Sequence, residues 1–289
     1  MTAAVPARPA LVLVATPIGN LGDLSPRAVE ELRNADMIAA EDTRRTRALC
    51  SAIGVPSGSR LRAVHGHNER TEARRIVDAI QGGARVVYVS DAGMPGIADP
   101  GEQLVRACVE AGCAVEVVPG PSAALAALVL SGLPTARFRF EGFLPRKGGA
   151  RTERLTSIAT SDATVVLFES PHRVGATLAD LRAACGPERA VAVVREVTKR
   201  YEEVVRGTLD EVSVDAVPDA GARGEHVIVV GAADARAEVD ESVVETEARA
   251  ALASGASARD AAASVAHHLG VSKRRAYDVV LRVRGGAPR

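Results

Sequence analysis

The stretch Val86-Val87-Tyr88-Val89-Ser90-Asp91-Ala92-Gly93-Met94-Pro95-Gly96 constrains the fold of this chain more than any other. Four β-branched or aromatic residues run into Ser-Asp and then into a turn with two glycines and a proline. That order predicts a buried strand that stops abruptly and leaves a carboxylate and bare backbone at its C-terminal end. In open α/β sheets, ligands sit in the crevice beyond such strand ends. Alone the stretch is equally a tight turn that any α/β protein uses. With the two other Gly/Pro-loaded strand ends at 16–25 and 119–123 it is read as the floor of a ligand crevice, which suits a positively charged, adenosine-like ligand with Asp91 at its charged or polar end and backbone at its base and ribose.

The flanking sequence repeats this pattern. Residues 1–9 read as a disordered leader. Residues 10–15 form a short apolar strand followed by a long Gly/Pro-punctuated loop, which ends at Ser25 as N-cap with Pro26 at the first helical position. A helix to about residue 34 has Val29 and Leu32 inward. A strand at 37–40 ends in Glu41-Asp42-Thr43-Arg44-Arg45-Thr46-Arg47, where Asp42 or Thr43 caps the next helix. A third strand at 61–65 leads to Gly66-His67-Asn68-Glu69 and a charged helix with Ile76, Val77 and Ile80 on its inner face. After the opening stretch come a helix at 99–111 and a strand at 114–118. Pro119-Gly120-Pro121-Ser122-Ala123 then opens an apolar helix at 123–130, whose first N–H groups are free to face a ligand. This alternation predicts a parallel sheet with helices on its faces.

From Phe138 onward the pattern changes. Strands are read at 138–140, 164–168, 191–194, 202–206 and 226–230, with helices only at about 151–159 and 174–184. The connections after Ala190 are hairpin-like, so this half is α+β with mixed or antiparallel pairing. An Ala/Asp/Glu linker follows Gly231. Ser257-Ala258-Arg259-Asp260 reads as a capping box for a helix with Ala261, Val265 and Leu269 inside. Gly270-Val271 turns, Ser272 caps, and Lys273-Arg274-Arg275 open a basic helix, the pattern of a helix-turn-helix. The expected domains are 10–119, 120–232 and 240–289.

Composition narrows the chemistry. The 289 residues carry 36 basic and 36 acidic side chains, so no global field draws in nucleic acid, and local clusters would have to do so. Four cysteines (Cys50, Cys108, Cys113, Cys185) lack zinc-type spacing. The N-terminal region has no long apolar run, so neither signal peptide nor membrane span is expected and the location is read as cytoplasmic. There is no G-x-x-x-x-G-K-S/T, no G-x-G-x-x-G after the first strand, no G-x-S-x-G and no H-E-x-x-H, which disfavours ATP hydrolysis, hydride transfer, serine hydrolysis and zinc peptidase chemistry.

Several clusters remain. His65, His67 and Glu69 have strand-face spacing for a metal but no third His or Cys nearby, and read better as a polar loop or substrate rim. Glu169, His172, Arg173 and Lys199 fit either a solvated ion-pair network or a rim that grips a phosphate backbone and deprotonates a hydroxyl. Basic groups recur at Arg44, Arg45 and Arg47, at Arg146, Lys147 and Arg151, and at Lys273, Arg274 and Arg275. Each alone is a solvated helix face; together they point to nucleic acid.

The motifs T-P-I-G-N-L-G-D-L (16–24), A-A-E-D-T-R (39–44), H-x-H-N-E (65–69), S-D-A-G-x-P (90–95), D-P-G (99–101), P-G-P-S-A (119–123), E-G-F-L-P (141–145), E-S-P-H-R (169–173) and R-E-x-T-K (195–199) occur in one order. In that order the chain resembles the small-subunit (16S) ribosomal RNA cytidine-2′-O-methyltransferase family of the tetrapyrrole-methylase-like superfamily, over about residues 11–231. The basic tail is similar to that family's C-terminal extension.

The resemblance implies a two-domain α/β fold, a homodimer, S-adenosylmethionine (SAM) as methyl donor with no metal, and small-subunit ribosomal RNA as partner. It implies cofactor contacts from Pro17, Ile18 and Gly19, from Asp91, Ala92, Gly93 and Pro95, from Ser122 and Ala123, and from Phe168. On the RNA side it leaves Glu169 or His172 as base, Lys199 or Arg173 as phosphate or oxyanion partner, and Arg44, Arg45, Lys273, Arg274 and Arg275 as RNA contacts. The loop after the first strand has fewer glycines than the G-x-G-x-G-D loop of porphyrinoid methylases, which favours the RNA branch. The rivals are a porphyrinoid C-methyltransferase and a non-enzymatic helix-turn-helix regulator with a small-molecule sensor body.

Overall fold

The computed structural model describes residues 8–212, 224–233, 240–269, 271 and 273–285. The chain divides into two compact units, 1–232 and 233–289.

The first unit is built on two sheets. Strands β1 (Ala10–Val14), β2 (Met37–Ala40), β3 (Leu61–Ala63), β4 (Arg85–Val89) and β5 (Val115–Val118) form a wholly parallel sheet in the order β3-β2-β4-β1-β5. The central strand β4 is buried along its whole length, which is why its sequence does not alternate. Helices α1 (Pro26–Asn34) and α2 (Thr43–Ala52) cover one face through Ala28, Leu32 and Cys50. Helices α3 (Glu69–Gln81) and α4 (Glu102–Glu110) cover the other through Ile76, Leu104 and Cys108. Ser25 caps α1 by accepting the Ala28 N–H, and Asp42 caps α2 by accepting the Arg44 N–H at 2.8 Å.

Helix α5 (Ala123–Ser131) leads to the second sheet, β6 (Phe138–Phe143), β7 (Thr164–Glu169), β8 (Ala190–Arg195), β9 (Glu203–Thr208) and β10 (His226–Val230). Its order is β6-β7-β10-β8-β9, antiparallel except for the parallel β6–β7 pair. The pleat divides its side chains cleanly. Val165, Leu167, Val193 and Ile228 pack on α6 (Gly149–Ala159) and α7 (Val174–Cys185). Val166, Val194, Val227 and Val229 pack on α5, and Ile18 and Ala92 from the first sheet's loops join that same cluster. This shared apolar cluster faces the C-terminal strand ends of the first sheet across to the second.

Two sequence expectations change here. The helix read from Asp99 begins at Glu102. Gly101 sits at φ 138°, where a Cβ would come within 2.9 Å of the Tyr88 ring, and Ala98 is held at φ 61°, so residues 98–101 cannot join the helix. Glu69, read as a rim or metal-loop residue, is instead buried; its Oε1 accepts the Gly101 and Leu104 N–H groups at 2.9 and 3.0 Å and caps α4.

The second unit contains α8 (Glu241–Ala253), α9 (Ala258–Leu269) and α10 (Lys273–Gly285), packed through Val244, Ala248, Val265, Ala276 and Val280. Ser257 accepts the Asp260 N–H at 3.2 Å and gives its own proton to the Asp260 carboxylate, so that carboxylate is spent on the hydroxyl. The turn at Gly270 and the cap at Ser272 lie outside the described residues. Among those described, no helix is long and apolar enough to cross a membrane.

Candidate functional site: a cleft between the two sheets

The loops that leave β1 and β4 are stitched together. Thr16 and Gly93 exchange backbone hydrogen bonds at 2.9 and 3.1 Å, and the Thr16 hydroxyl donates to the Ser90 carbonyl at 3.3 Å. Gly93 lies at φ 80° against the Ile18 side chain, a position that an L side chain would strain. Beside this bridge lies a cavity of about 380 Å³, within the ~300–1,000 Å³ typical of small-molecule sites. Its apolar walls are Ile18, Ala92, Met94, Phe168, Val197 and Val227. Its charged lining is acidic: Glu41, Asp91, Asp99, Glu169 and Glu225, with Arg45 the one lining arginine or lysine among the described residues. Among the described residues, no group of three or more His, Cys, Asp or Glu side chains is arranged to hold a metal.

Of the expected cofactor contacts, Ile18, Asp91, Ala92, Gly93, Ser122, Ala123 and Phe168 line this cavity, whereas Pro17, Gly19 and Pro95 do not. Gly19 has another reason to be glycine. The Lys199 stem lies across it, and a Cβ there would run into Lys199 Cγ. Phe168 is held by edge contacts with Phe140 and Phe143, at ring separations of 4.9 and 5.7 Å. Asp91 is partly committed within the protein. Its Oδ1 accepts the Asp42 N–H at 3.1 Å, and its Oδ2 lies 3.5 Å from Arg45.

Sequence reasoning missed Glu41, Asp99, Val197, Glu225 and His226. Glu41 closes β2, and its Oε2 accepts the Asp91 N–H at 3.2 Å; burial raises its pKa above the ordinary carboxylate value. Burial first, and then the charges of Glu41, Asp91 and Glu225, push Asp99 up to about 6, while the Ser90 hydroxyl opposes the shift. His226 opens β10 and is 2% exposed; neither ring nitrogen has a hydrogen-bond partner among the described residues. Burial lowers its pKa from the usual histidine value. The D-P-G and S-D-A-G-x-P motifs pointed at the right loops, but no sequence signal showed that Asp99 stays out of the helix.

The candidate catalytic residues do not form one constellation. Glu169 lines the cavity, but its carboxylate is fully buried. Oε1 accepts the Ser170 N–H at 2.8 Å, and Oε2 accepts the Thr177 hydroxyl at 2.7 Å with Arg173 at 3.3 Å. Those bonds tie it to the first turn of α7. His172 is exposed and does not line the cavity. Lys199 Nζ is bound by Glu196 Oε1 and Glu225 Oε2 at 2.8 and 2.9 Å. The turn that carries it holds Glu196 and Thr198 at φ 51° and 65°, a strained conformation for a β-branched residue. Among the described residues, no hydrogen bond or ion pair joins Glu169, His172 and Lys199.

The basic side chains also separate. Arg173 donates to the Leu144 carbonyl at 2.8 Å, and Arg151 is tied to Asp180, the Pro145 carbonyl and Thr177, so both are internal braces. Arg44 folds back on Asp42 and is 85% exposed, and Arg45 reaches the cavity. Arg146, Lys147, Lys273 and Arg274 are exposed, whereas Arg275 and Arg282 lie against Glu241.

Fold and cleft together define a class. Residues 10–213 match the family described as Tetrapyrrole (Corrin/Porphyrin) Methylases, and the chain belongs to that family. The methyltransferase CobJ has the same fold, with a TM-score of 0.58 at 23% identity, covering 78% of this chain and 94% of that one. Uroporphyrin-III C-methyltransferase from Thermus thermophilus, complexed with S-adenosylhomocysteine, gives 0.54 at 24% identity, covering 77% and 97%.

Sequence relatives are much nearer. Ribosomal RNA small subunit methyltransferase I of Mycobacterium tuberculosis (strain ATCC 25618 / H37Rv) is 46% identical over 95% of this chain and 95% of its own length. The protein of that name from Xylella fastidiosa (strain Temecula1 / ATCC 700964) is 51% identical over 78% and 82%. That from Synechocystis sp. (strain ATCC 27184 / PCC 6803 / Kazusa) is 41% identical over 94% and 98%.

Proposed function

We propose that the protein is a SAM-dependent methyltransferase of small-subunit ribosomal RNA that modifies the ribose 2′-oxygen of a cytidine. The observation that carries this is the cleft between the sheets. It is walled by the loops that hold the ordered motifs, in a chain 41–51% identical to proteins named for small-subunit rRNA methylation. The porphyrinoid methylases are related at the level of fold alone, at 17–24% identity.

The lining fits the donor. An apolar wall of Ile18, Phe168 and Val227 suits a purine and a thioether-like chain, and the acidic lining suits a cation. When bound, SAM supplies a sulfonium methyl that the ribose 2′-oxygen takes by in-line displacement, leaving neutral S-adenosylhomocysteine (SAH) and releasing the hydroxyl proton. The protein's task is alignment, which is worth about 7–11 kcal/mol when two reactants are held in attack geometry. The stitched Thr16–Gly93 bridge and the Lys199 strap over Gly19 keep the walls at fixed separation. The committed carboxylate of Glu169 favours a positioning role. His172, exposed next to the lining residue Pro171, and Lys199, paired with Glu196 and Glu225, are the candidates left for contact with the RNA.

The exposed Lys273 and Arg274 of α10 suit phosphate contacts to an unstacked RNA strand, and in the first unit the exposed Arg146 and Lys147 suit the same kind of contact. A homodimer is supported by α5, which is apolar on every side yet leaves Leu125 and Val129 exposed. The location proposed is the cytoplasm, with the ribosomal substrate.

The deciding experiment incubates the protein with methyl-labelled SAM and small ribosomal subunits from a strain lacking this activity. Label in a cytidine ribose supports the reading. Label absent from RNA and present in a porphyrinoid overturns it in favour of the first rival, and no transfer at all favours the sensor-regulator. Light scattering in solution tests the dimer, and a monomer mass across micromolar concentrations rejects it.

A further inference from the structure

The acidic lining of the cleft is not uniform. Asp91 is engaged by the Asp42 N–H and Arg45. Glu41 holds the Asp91 N–H. Glu225 is largely exposed and is paired with Lys199. Asp99 alone of these four has neither a cationic partner nor a backbone N–H among the described residues; the Ser90 hydroxyl is the polar group that supports its charge. It is nevertheless half-buried, and its neighbours across the cavity are carboxylates: Glu41 from the end of β2, Asp91 from the end of β4, and Glu225 ahead of β10. The charged groups on the other side are Arg45 of α2, already on Asp91, and Lys199, already on Glu196 and Glu225.

An uncompensated carboxylate in such a place destabilises the empty protein. The chain nonetheless fixes it there. Ala98 at φ 61° and Gly101 at φ 138°, with the Gly96 N–H bonded to the Pro100 carbonyl, close residues 96–101 into a tight loop that presents Asp99 to the cavity. The same cavity is lined by His226, buried and without a hydrogen-bond partner among the described residues. A ligand with polar and cationic groups would satisfy both.

We propose that Asp99 is the specificity-determining residue that makes this cleft prefer the positively charged methyl donor over its neutral demethylated product. This rests on the cleft being the SAM site. Methyl transfer removes one positive charge from the ligand: the sulfonium of SAM becomes the thioether of SAH. A carboxylate with no counter-charge among the described residues feels that loss most, whereas Asp91 and Glu225 retain their own cations. The chemistry therefore weakens the hold on the product at the moment it forms, and turnover gains a release step driven by charge.

The test is calorimetric titration of the full-length protein at pH 7.5 with three ligands: SAM, SAH, and sinefungin, which carries an amine in place of the sulfonium methyl. Wild type is expected to bind SAM and sinefungin about tenfold or more tighter than SAH, the scale of one unit charge in a partly buried site. Asp99→Asn is expected to reduce that preference to about threefold or less while changing SAH affinity by less than about twofold. Asp99→Glu is expected to restore part of it, and thermal melts confirm that each variant is folded. A preference unchanged in Asp99→Asn, or an equal loss of SAM and SAH affinity, overturns the proposal while leaving the SAM site intact. Failure of the wild type to bind either SAM or SAH overturns the site assignment itself, and the proposal falls with it.

Discussion

Replacing Glu169 by alanine is expected to cost stability before it costs chemistry. The carboxylate is fully buried and is the shared acceptor for the Ser170 N–H, the Thr177 hydroxyl and Arg173. Thr177 is itself fully buried and accepts from Arg151 at 3.1 Å, so the chain Arg151–Thr177–Glu169 braces the start of α7. Alanine strips the acceptor from the Ser170 N–H and the Thr177 hydroxyl at about 1–3 kcal/mol each, for a loss of roughly 2–6 kcal/mol, while Arg173 keeps the Leu144 carbonyl. In a body of this size, about 2–4 °C of Tm follows each kcal/mol, so a drop of roughly 4–24 °C is expected by calorimetry or circular dichroism. Glu169→Gln keeps one acceptor oxygen and is expected to lose about half as much. If Glu169 instead served as general base, Gln would be nearly silent in stability and would reduce turnover by about 10²–10⁴. A Glu169→Gln protein melting within about 1 °C of wild type, with turnover down a hundredfold or more, would refute the bracing role.

The remaining expectations concern the strap, the acidic loop and the tail. Gly19→Val sets a side chain against the Lys199 stem, at about 1–3 kcal/mol for overpacking. SAM affinity is expected to fall about tenfold or more by titration, and unaltered affinity would show that the strap does not shape the site. Asp99 has a folded pKa near 6 against about 3.9 unfolded, so its ionisation opposes folding. The unfolded chain releases this proton first, so wild-type stability falls as pH rises from about 4 to 6 and the penalty persists above that. Water around this half-buried group screens the penalty to about 1 kcal/mol. Ligand-free Asp99→Asn is therefore expected to melt about 2–4 °C higher than wild type at pH 7.5 and at the same temperature at pH 4; equal melting at both would refute it. Removing Lys273 and Arg274 together is expected to weaken RNA binding and flatten the log–log salt slope by about 0.7 per lost phosphate contact, with SAM affinity unchanged.

How far the sequence reached depended on how local each cause was. The β1-to-β5 alternation, the Ser25 cap and the glycine-rich strand ends are set within a few residues of themselves and read correctly from spacing, and of the two caps read for α2, Asp42 or Thr43, the structure has Asp42. Where a neighbour distant in sequence decides, spacing could not show the partner. Glu69 looked like a rim residue because its partners, Gly101 and Leu104, come more than thirty positions later. For Arg151 and Arg173, spacing showed only basic side chains; the fold added Asp180, the Leu144 carbonyl and Glu169 as their partners.

The sequence by itself determined the two kinds of sheet and which strand ends would carry the cleft. Hydrophobic periodicity and turn chemistry act along the chain, and nine motifs in one order leave few families to choose from. Only the tertiary structure decided which of the many carboxylates matter and how. Glu169 is sealed under α7 and made a brace, Asp91 is shared with a helix start and an arginine, and Asp99 is turned out of its helix and left without a cationic partner among the described residues. A carboxylate's role is set by its desolvation and by the charges that face it. Those charges come from strands and loops that are neighbours only after the sheets have formed.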